Sequence, residues 1–256
     1  MPPEDVYADI VQLYDLEHND FTDDVELYLE LVADTDGSIL ELGCGTGRVL
    51  IPLAEAGHEV VGIDSSMPML NALKSRIRSE HNIIVTQGDM ADPNALDTGP
   101  FGIIIASLNS IMHLTSQYRQ MELLVSAHKA LMPGGRLIID TLNPGIEQLT
   151  YLLDRTHLEG SWTTDDGISV EKWGHRQPGE ESQVMDTLIW YDQTSANGDY
   201  RRTRTRFDLR YVHQSELSLV LELADFSHVD WYGSYELDPW HAESERIIAV
   251  AHKDEE

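Results

Sequence analysis

Ile39-Leu40-Glu41-Leu42-Gly43-Cys44-Gly45-Thr46-Gly47-Arg48 reads as an apolar strand that runs into a three-glycine loop and then opens a helix. Glycine is needed where the chain turns with positive φ or where a ligand approaches the main chain without a Cβ in the way. The loop is therefore expected to offer backbone N–H groups to a nucleoside-bearing cofactor, aided by the positive end of the following helix. A dinucleotide fingerprint requires G-x-G-x-x-G, its third glycine allowing close helix packing. Arg48 stands at that position, and the spacing is instead Gly43-x-Gly45-x-Gly47, which suits a ligand without a pyrophosphate.

Outward from the loop, strand and helix patterns alternate, which predicts a parallel sheet with crossover helices. The expected strands are Ile39–Leu42, Val60–Ile63, Ile83–Thr86, Phe101–Ser107 and Arg136–Thr141, each apolar enough to be buried on both faces. Ser66 is the expected N-cap of a helix carrying Met69, Leu70, Leu73 and Ile77 on one face, with Pro68 in its first turn. A second helix is expected from about Ser116 to Leu131, stopped by Pro133-Gly134-Gly135. Asp64 ends the second strand, where a carboxylate can accept from both ribose hydroxyls, each such bond worth roughly 1.5–3 kcal/mol. Asp89 ends the third, placed to accept from an adenine amino group. Three strand ends then converge on one crevice, the usual binding place of an open α/β sheet.

The second half changes character. Ile168–Trp173, Val184–Tyr191 and Tyr200–Tyr211 are β-rich and separated by turn signals, predicting an antiparallel insertion that acts as a lid. A helix face of Leu217, Val220, Leu221 and Ala224 and strands near His228–Tyr232 and Arg246–Ala251 then return to the sheet. The expected class is α/β: a Rossmann-like, seven-stranded, mostly parallel sheet flanked by helices, with the antiparallel β insertion after the fifth strand. The expected division is a helical cap over 1–36, a cofactor-binding core over 37–143, a lid over 144–212 and a closing helix and two strands over 213–256.

Composition narrows the partners. The 256 residues are 41% hydrophobic, enough for a sizeable core, yet no apolar run is long enough to span a bilayer. Met1-Pro2-Pro3-Glu4-Asp5-Val6 lacks the basic and apolar regions of a signal peptide, and Cys44 is the sole cysteine, so a reducing cytoplasm is the expected compartment. Seventeen basic against 45 acidic residues give a net charge of −28, which disfavours nucleic acid because few side chains can displace phosphate counterions. The four lysines (Lys74, Lys129, Lys172, Lys253) among abundant aspartate resemble the usage of proteins from salt-loving organisms; a merely soluble acidic surface is the alternative. Self-association is compatible with the sequence but not specified by it.

As a set, E-L-G-C-G-T-G-R, G-I-D-S-S, Q-G-D-M and L-M-P-G-G-R-L-I-I-D resemble class I S-adenosylmethionine-dependent methyltransferases over roughly residues 35–143. The resemblance implies a site for S-adenosyl-L-methionine, released as S-adenosyl-L-homocysteine, with no metal. It implies Gly43, Gly45 and Gly47 beside the methionine portion, Asp64 on the ribose, Met69 or a neighbour in the adenine pocket, and Asp89 and Met90 reading adenine. Tyr14, Glu41, Cys44, Arg48, Ser65, Leu108 and Asn109 complete the implied cofactor set. Tyr14-Asp15 and Ser107-Leu108-Asn109-Ser110-Ile111-Met112-His113-Leu114, with the lid layout, further resemble small-molecule N-methyltransferases of the amino-sugar type.

Transfer from a sulfonium needs no covalent nucleophile, so Cys44 is read as a small residue filling the loop. Holding the reactants in line can supply ~7–11 kcal/mol, whereas a general base gives ~10²–10⁴-fold. His113 is the candidate to accept or orient the amine proton, and Tyr14 the candidate to close over the sulfonium; a backbone-bonded histidine and a helix-core tyrosine are the alternatives. Trp162, Trp173, Trp190 and Tyr191 are candidates for an amine-binding wall, against ordinary core packing. Arg202, Arg204 and Arg206 alternate on one strand face and Thr203, Thr205 and Phe207 take the other. Arg206 is the candidate for a substrate phosphate or carboxylate, against pairing with surface acids. The expected substrate is a small-molecule amine; an O-methyltransferase and an idle cofactor-binding protein are the rival readings. Asp140 and Asn143 loosely echo a metal-dependent O-methylation site, and no Asn/Asp-Pro-Pro-aromatic motif of nucleic-acid methylation follows the fourth strand.

Overall fold

The structure is a computed structural model that describes residues 5–96 and 99–255. Residues 1–4, where no leader is expected, lie outside the described residues. Two helices, α1 (Val11–His18) and α2 (Asp23–Val32), precede the sheet. The core alternates β1 (Ile39–Leu42), α3 (Leu50–Glu55), β2 (Val60–Asp64), α4 (Met67–Arg76), β3 (Ile83–Gln87), β4 (Phe101–Ala106), α5 (Gln117–Ala130) and β5 (Leu131–Leu142). A short α6 (Ile146–Leu152) leads into a meander of β6 (Thr156–Thr163), β7 (Ser169–Pro178), β8 (Val184–Thr194) and β9 (Tyr200–Arg210). The chain returns through α7 (Gln214–Leu223), β10 (His228–Tyr232) and β11 (Arg246–His252).

The main sheet has the order β10-β11-β5-β4-β1-β2-β3, parallel from β3 to β5, with β11 antiparallel to both β5 and β10. Its central strands β1 and β4 are buried along their whole length, as the unbroken Ile/Leu runs require. β3 departs from that expectation: it is an edge strand, and Ile84 is half exposed. Ser66 caps α4 as expected, its side chain accepting from the Met69 N–H, but Ile77 is already extended and ends the helix. Apolar side chains of the parallel strands pack on α5 and α7 on one face and on α2, α3 and α4 on the other.

Two elements have no counterpart in the sequence expectation. β6 adds a fourth strand to the lid, and α6 buries none of its residues and so carries no apolar stripe to read. β5 begins at Leu131, so Pro133-Gly134-Gly135 lies within its span and not ahead of it. The four-stranded sheet β6-β7-β8-β9 packs Val170, Ile189 and Tyr191 of its inner face against Ile10, which precedes α1, and Leu13 and Leu16 within it.

Candidate active site

The crevice lies where β1, β2 and β4 end. All three loop glycines have positive φ, at 75°, 52° and 85°. Gly47 is the tightest, since a Cβ there would meet Leu73 Cδ1 at 2.2 Å; at Gly45 a Cβ would meet nothing within 4 Å, so the backbone is open to an incoming ligand. The N–H groups are less available than the glycine pattern suggests. Gly43 and Cys44 both donate to Ile63 O, and Gly45 donates to Asp64 Oδ2 at 2.8 Å. α3 starts only at Leu50 and is a single short segment, so it adds little helix-end potential.

Acidity at the crevice comes from two carboxyl groups with different partners. Glu41 is buried; its Oε1 accepts from Ser107 Oγ at 3.0 Å, while Oε2 has no partner. Burial raises its pKa to about 8. An unpaired buried carboxyl oxygen in a pocket also lined by Tyr14, Gly43 and Arg48 fits a ligand that brings a cation or donor there. Asp64 accepts from Gly45 N–H and Ser66 N–H, yet burial still raises its pKa. Each of its oxygens retains a lone pair for a hydroxyl donor.

Around these, Met69 is buried and Met90 half-buried, while Ser65 and Asp89 lie exposed at the rim. Asp89 Oδ2 is held by Arg119 at 2.5 Å and Oδ1 by the Ala91 N–H, so the expected adenine acceptor is partly engaged. Arg48 makes a two-point pair with the fully buried Asp24 while lining the same pocket, where its charge opposes the upward pKa shifts of Glu41 and Tyr14. Cys44 is buried and its thiol pKa is raised by that burial, the state of a packing residue.

Leu108 and Asn109 follow β4 with φ of 40° and 69°, a conformation that costs energy for residues with a Cβ. A buried clamp imposes it. Asp140, fully buried at the end of β5, pairs with Arg246 of β11 and accepts from Leu108 N–H, Tyr28 and Tyr235. Asn109 Oδ1 accepts from Leu142 N–H at 2.7 Å. Asn143 Nδ2 donates to two carbonyls of the β10–β11 connection. Both residues of the loose metal-site echo are therefore engaged in holding loops.

This geometry, a glycine loop at a strand end with one acid in the first strand and another ending the second, stands beside the chain's likeness to known proteins. A family model described as a methyltransferase domain matches residues 39–135. An uncharacterised methyltransferase of Geobacillus kaustophilus is 31% identical over 171 residues, covering 64% of this chain and 75% of its own length. The chain belongs to the S-adenosylmethionine-dependent methyltransferases. The cypemycin N-terminal methyltransferase of a Streptomyces species is 25% identical over 83% of this chain and 82% of its own length. An S-adenosylmethionine-dependent methyltransferase from Clostridium acetobutylicum shares the fold, with a TM-score of 0.81 at 18% identity, covering 97% of this chain and 99% of its own. The chain spans about half, 55%, of Bacillus subtilis YqeM, to which it is 32% identical over 53% of this chain.

In this methyltransferase the one-turn helix Ser110–His113 carries the candidate histidine into an aromatic enclosure. Nε2 of His113 lies 2.8 Å from the Tyr7 hydroxyl, and the ring packs against Tyr7 and Phe207 at centroid distances of 5.6 and 5.5 Å. Burial lowers its pKa to about 4. Tyr14 lines the cofactor-side pocket, stacks on His18 at 4.2 Å and touches Tyr7 edge-on; burial raises its pKa to about 12. The backbone-bonded alternative for His113 is not what is found.

The lid sorts the remaining candidates by face. Tyr191 and Trp162 point inward and pack near Ile10, with the Tyr191 hydroxyl donating to Glu17. Trp173 and Arg206 do not reach the site. Trp173 stacks on Trp190, which also carries Arg202 at 5.2 Å. Arg206 is exposed and makes a two-point pair with Asp186 across the strands, so its charge is already matched. Strand alternation places Phe207 on the opposite face, against His113. Tyr7, Phe207 and Glu17 were not among the sequence candidates; the alternation of Phe207 with Arg206 was the one available signal.

Proposed function

We propose that the protein methylates the nitrogen of a small-molecule amine. Bound S-adenosylmethionine supplies a methyl group on a sulfonium and leaves as the homocysteine thioether. Glu41 Oε2 would take the ammonium of the methionine portion, Gly45 would allow close approach, and Asp64 would accept from the ribose. Met69 and Met90 would border the adenine, with Ser65 and Asp89 at its rim. Tyr14 would close the methionine side, while Leu108 and Asn109 form the wall held by Asp140.

The observation that carries the amine reading is the enclosure of Tyr7, His113 and Phe207 next to Tyr14. Its aromatic faces suit a nitrogen that becomes cationic as it is methylated. Oxygen acceptors react as anions and gain from a nearby cation, yet the lid arginines Arg202 and Arg206 face outward and bond aspartates. The name of the cypemycin N-terminal methyltransferase points the same way.

Basicity decides what His113 does. Taking a proton from an ammonium of ordinary pKa onto a group at about 4 costs about 8 kcal/mol. His113 and the Tyr7 hydroxyl therefore orient a neutral amine, holding its N–H so that the lone pair faces the methyl group, and they do not store its proton. The amine arrives deprotonated, and placement supplies the rate. Incubation with S-adenosylmethionine and panels of amines, short peptides and phenols, read by mass spectrometry for an added methylene, tests the reading. Methylated amines are expected; products confined to phenols or carboxylates would replace it with O-methylation, and no product despite cofactor binding with the idle reading.

A further inference from the structure

Three residues of α1 reach three parts of the molecule. Tyr14 lines the strand-end pocket. Asp15, buried, accepts from Thr46 Oγ1 of the glycine loop at 2.6 Å and pairs with Arg76 at the end of α4. Glu17 accepts from Lys172 at 2.6 Å and from the Tyr191 hydroxyl at 2.8 Å, both on the lid. Lys172 is shared with Glu159 at 3.3 Å, which in turn holds Arg176. One short helix thus ties the pocket wall, the cofactor loop and the lid together.

The charges along this path do not balance at the pocket. Glu41 has Ser107 as its partner and Asp64 has two backbone N–H groups; neither forms an ion pair among the described residues. Docking α1 sets Asp15 against Thr46 of the glycine loop and carries Glu17 with it; Arg76 matches Asp15, while Glu17 shares Lys172 with Glu159 and accepts from the Tyr191 hydroxyl. Three acids, Glu41, Glu17 and Asp64, act on the Tyr14 hydroxyl and are opposed there by Arg48, the strongest single charge of the four. Partly buried charges are poorly screened, so a cationic ligand in the pocket attracts the acids that α1 brings to it, and a neutral ligand does not. S-adenosylmethionine has a sulfonium and an ammonium against one carboxylate, whereas S-adenosylhomocysteine has no net charge. A ligand shifts a conformational equilibrium only by its differential affinity for the two states, and this charge difference supplies one.

We propose that α1 is a charge-sensing strap, docking firmly on the sulfonium donor and loosening on the neutral thioether product, with Glu17 passing the change to the lid. The proposal rests on the proposed function only in placing that cofactor in the glycine-loop pocket. It assigns Asp15 and Glu17 as positioning residues: neither needs to touch the methyl acceptor, and both bear on when the lid is held down.

Hydrogen exchange of the full chain, read by mass spectrometry at saturating ligand, tests it with sinefungin, whose amine replaces the sulfonium, against S-adenosylhomocysteine. Sinefungin is expected to slow exchange over residues 6–19 and 156–178 about tenfold more than S-adenosylhomocysteine, the scale of one charge-assisted hydrogen bond. In Glu17→Gln the α1 difference is expected to remain and the lid difference to vanish; Lys172→Met, which removes the partner instead, is expected to do the same. Equal protection by the two ligands would overturn the strap, and a lid difference that survives both substitutions would overturn the relay. A failure of either ligand to bind, seen as no thermal shift, would instead remove the cofactor assignment and the strap with it.

Discussion

Burial of His113 behind Tyr7 and Phe207 makes it a poor base held in one place, and two measurements follow from that at the level of single side chains. His113→Ala is expected to lower kcat about tenfold, the worth of one orienting hydrogen bond, while S-adenosylhomocysteine affinity stays within about twofold by calorimetry. The same lowered pKa ties stability to pH. Below the ordinary histidine pKa the unfolded chain binds a proton here that the folded chain refuses until about pH 4, so stability falls as pH falls. Urea unfolding is expected to show a loss of about 2 kcal/mol between pH 7 and pH 5 that His113→Gln removes. Glu41 has the opposite sign, being an acid whose folded pKa is raised to about 8. A cation arriving at its carboxyl favours ionisation, so cofactor binding at pH 7 is expected to release up to about one proton, read from binding enthalpies in buffers of different ionisation heat. Glu41→Gln is expected to abolish that release.

Among the elements, the β4-to-α5 connection shows how a remote pair shapes a site. The Asp140–Arg246 clamp spans β5 and β11 and fixes the left-handed turn that leads to His113. Arg246→Met leaves a buried carboxylate unpaired, and a loss of about 3–5 kcal/mol in urea unfolding is expected, with reduced turnover even in the folded fraction. Arg206→Ala on the exposed lid face is expected to leave turnover within about twofold. What the sequence made legible follows the range of the interactions. β1, β2, β10 and the Ser66 cap are written in adjacent residues, and the glycine loop and Asp64 are too. β6 was hidden because its residues are mostly exposed and polar, with a register shift between Leu158 and Gly160. Tyr7 and Phe207 meet His113 from 106 residues upstream and 94 downstream, and no local pattern encodes such a meeting. The fate of Arg206 was open for the same reason, since its partner Asp186 comes from the neighbouring strand.

For the molecule as a whole, the net charge of −28 sets the background against which each of these interactions acts. Many of its cations are committed to specific acids: Arg48 to Asp24, Arg76 to Asp15, Arg119 to Asp89, Arg210 to Glu216. The excess carboxylates repel one another, and salt screens that repulsion more than it weakens the buried pairs. The melting temperature is therefore expected to rise by several degrees from low to molar KCl in thermal unfolding. Glycine-loop closure should follow a different dependence, and the chain carries its own reporter for it. Gly62 leaves room for Cys44, whose Sγ would sit 2.7 Å from any Cβ there, so the thiol is sealed beneath the loop. Because it is the sole cysteine, the rate at which a maleimide labels the native protein counts openings of this one loop, without any engineered probe.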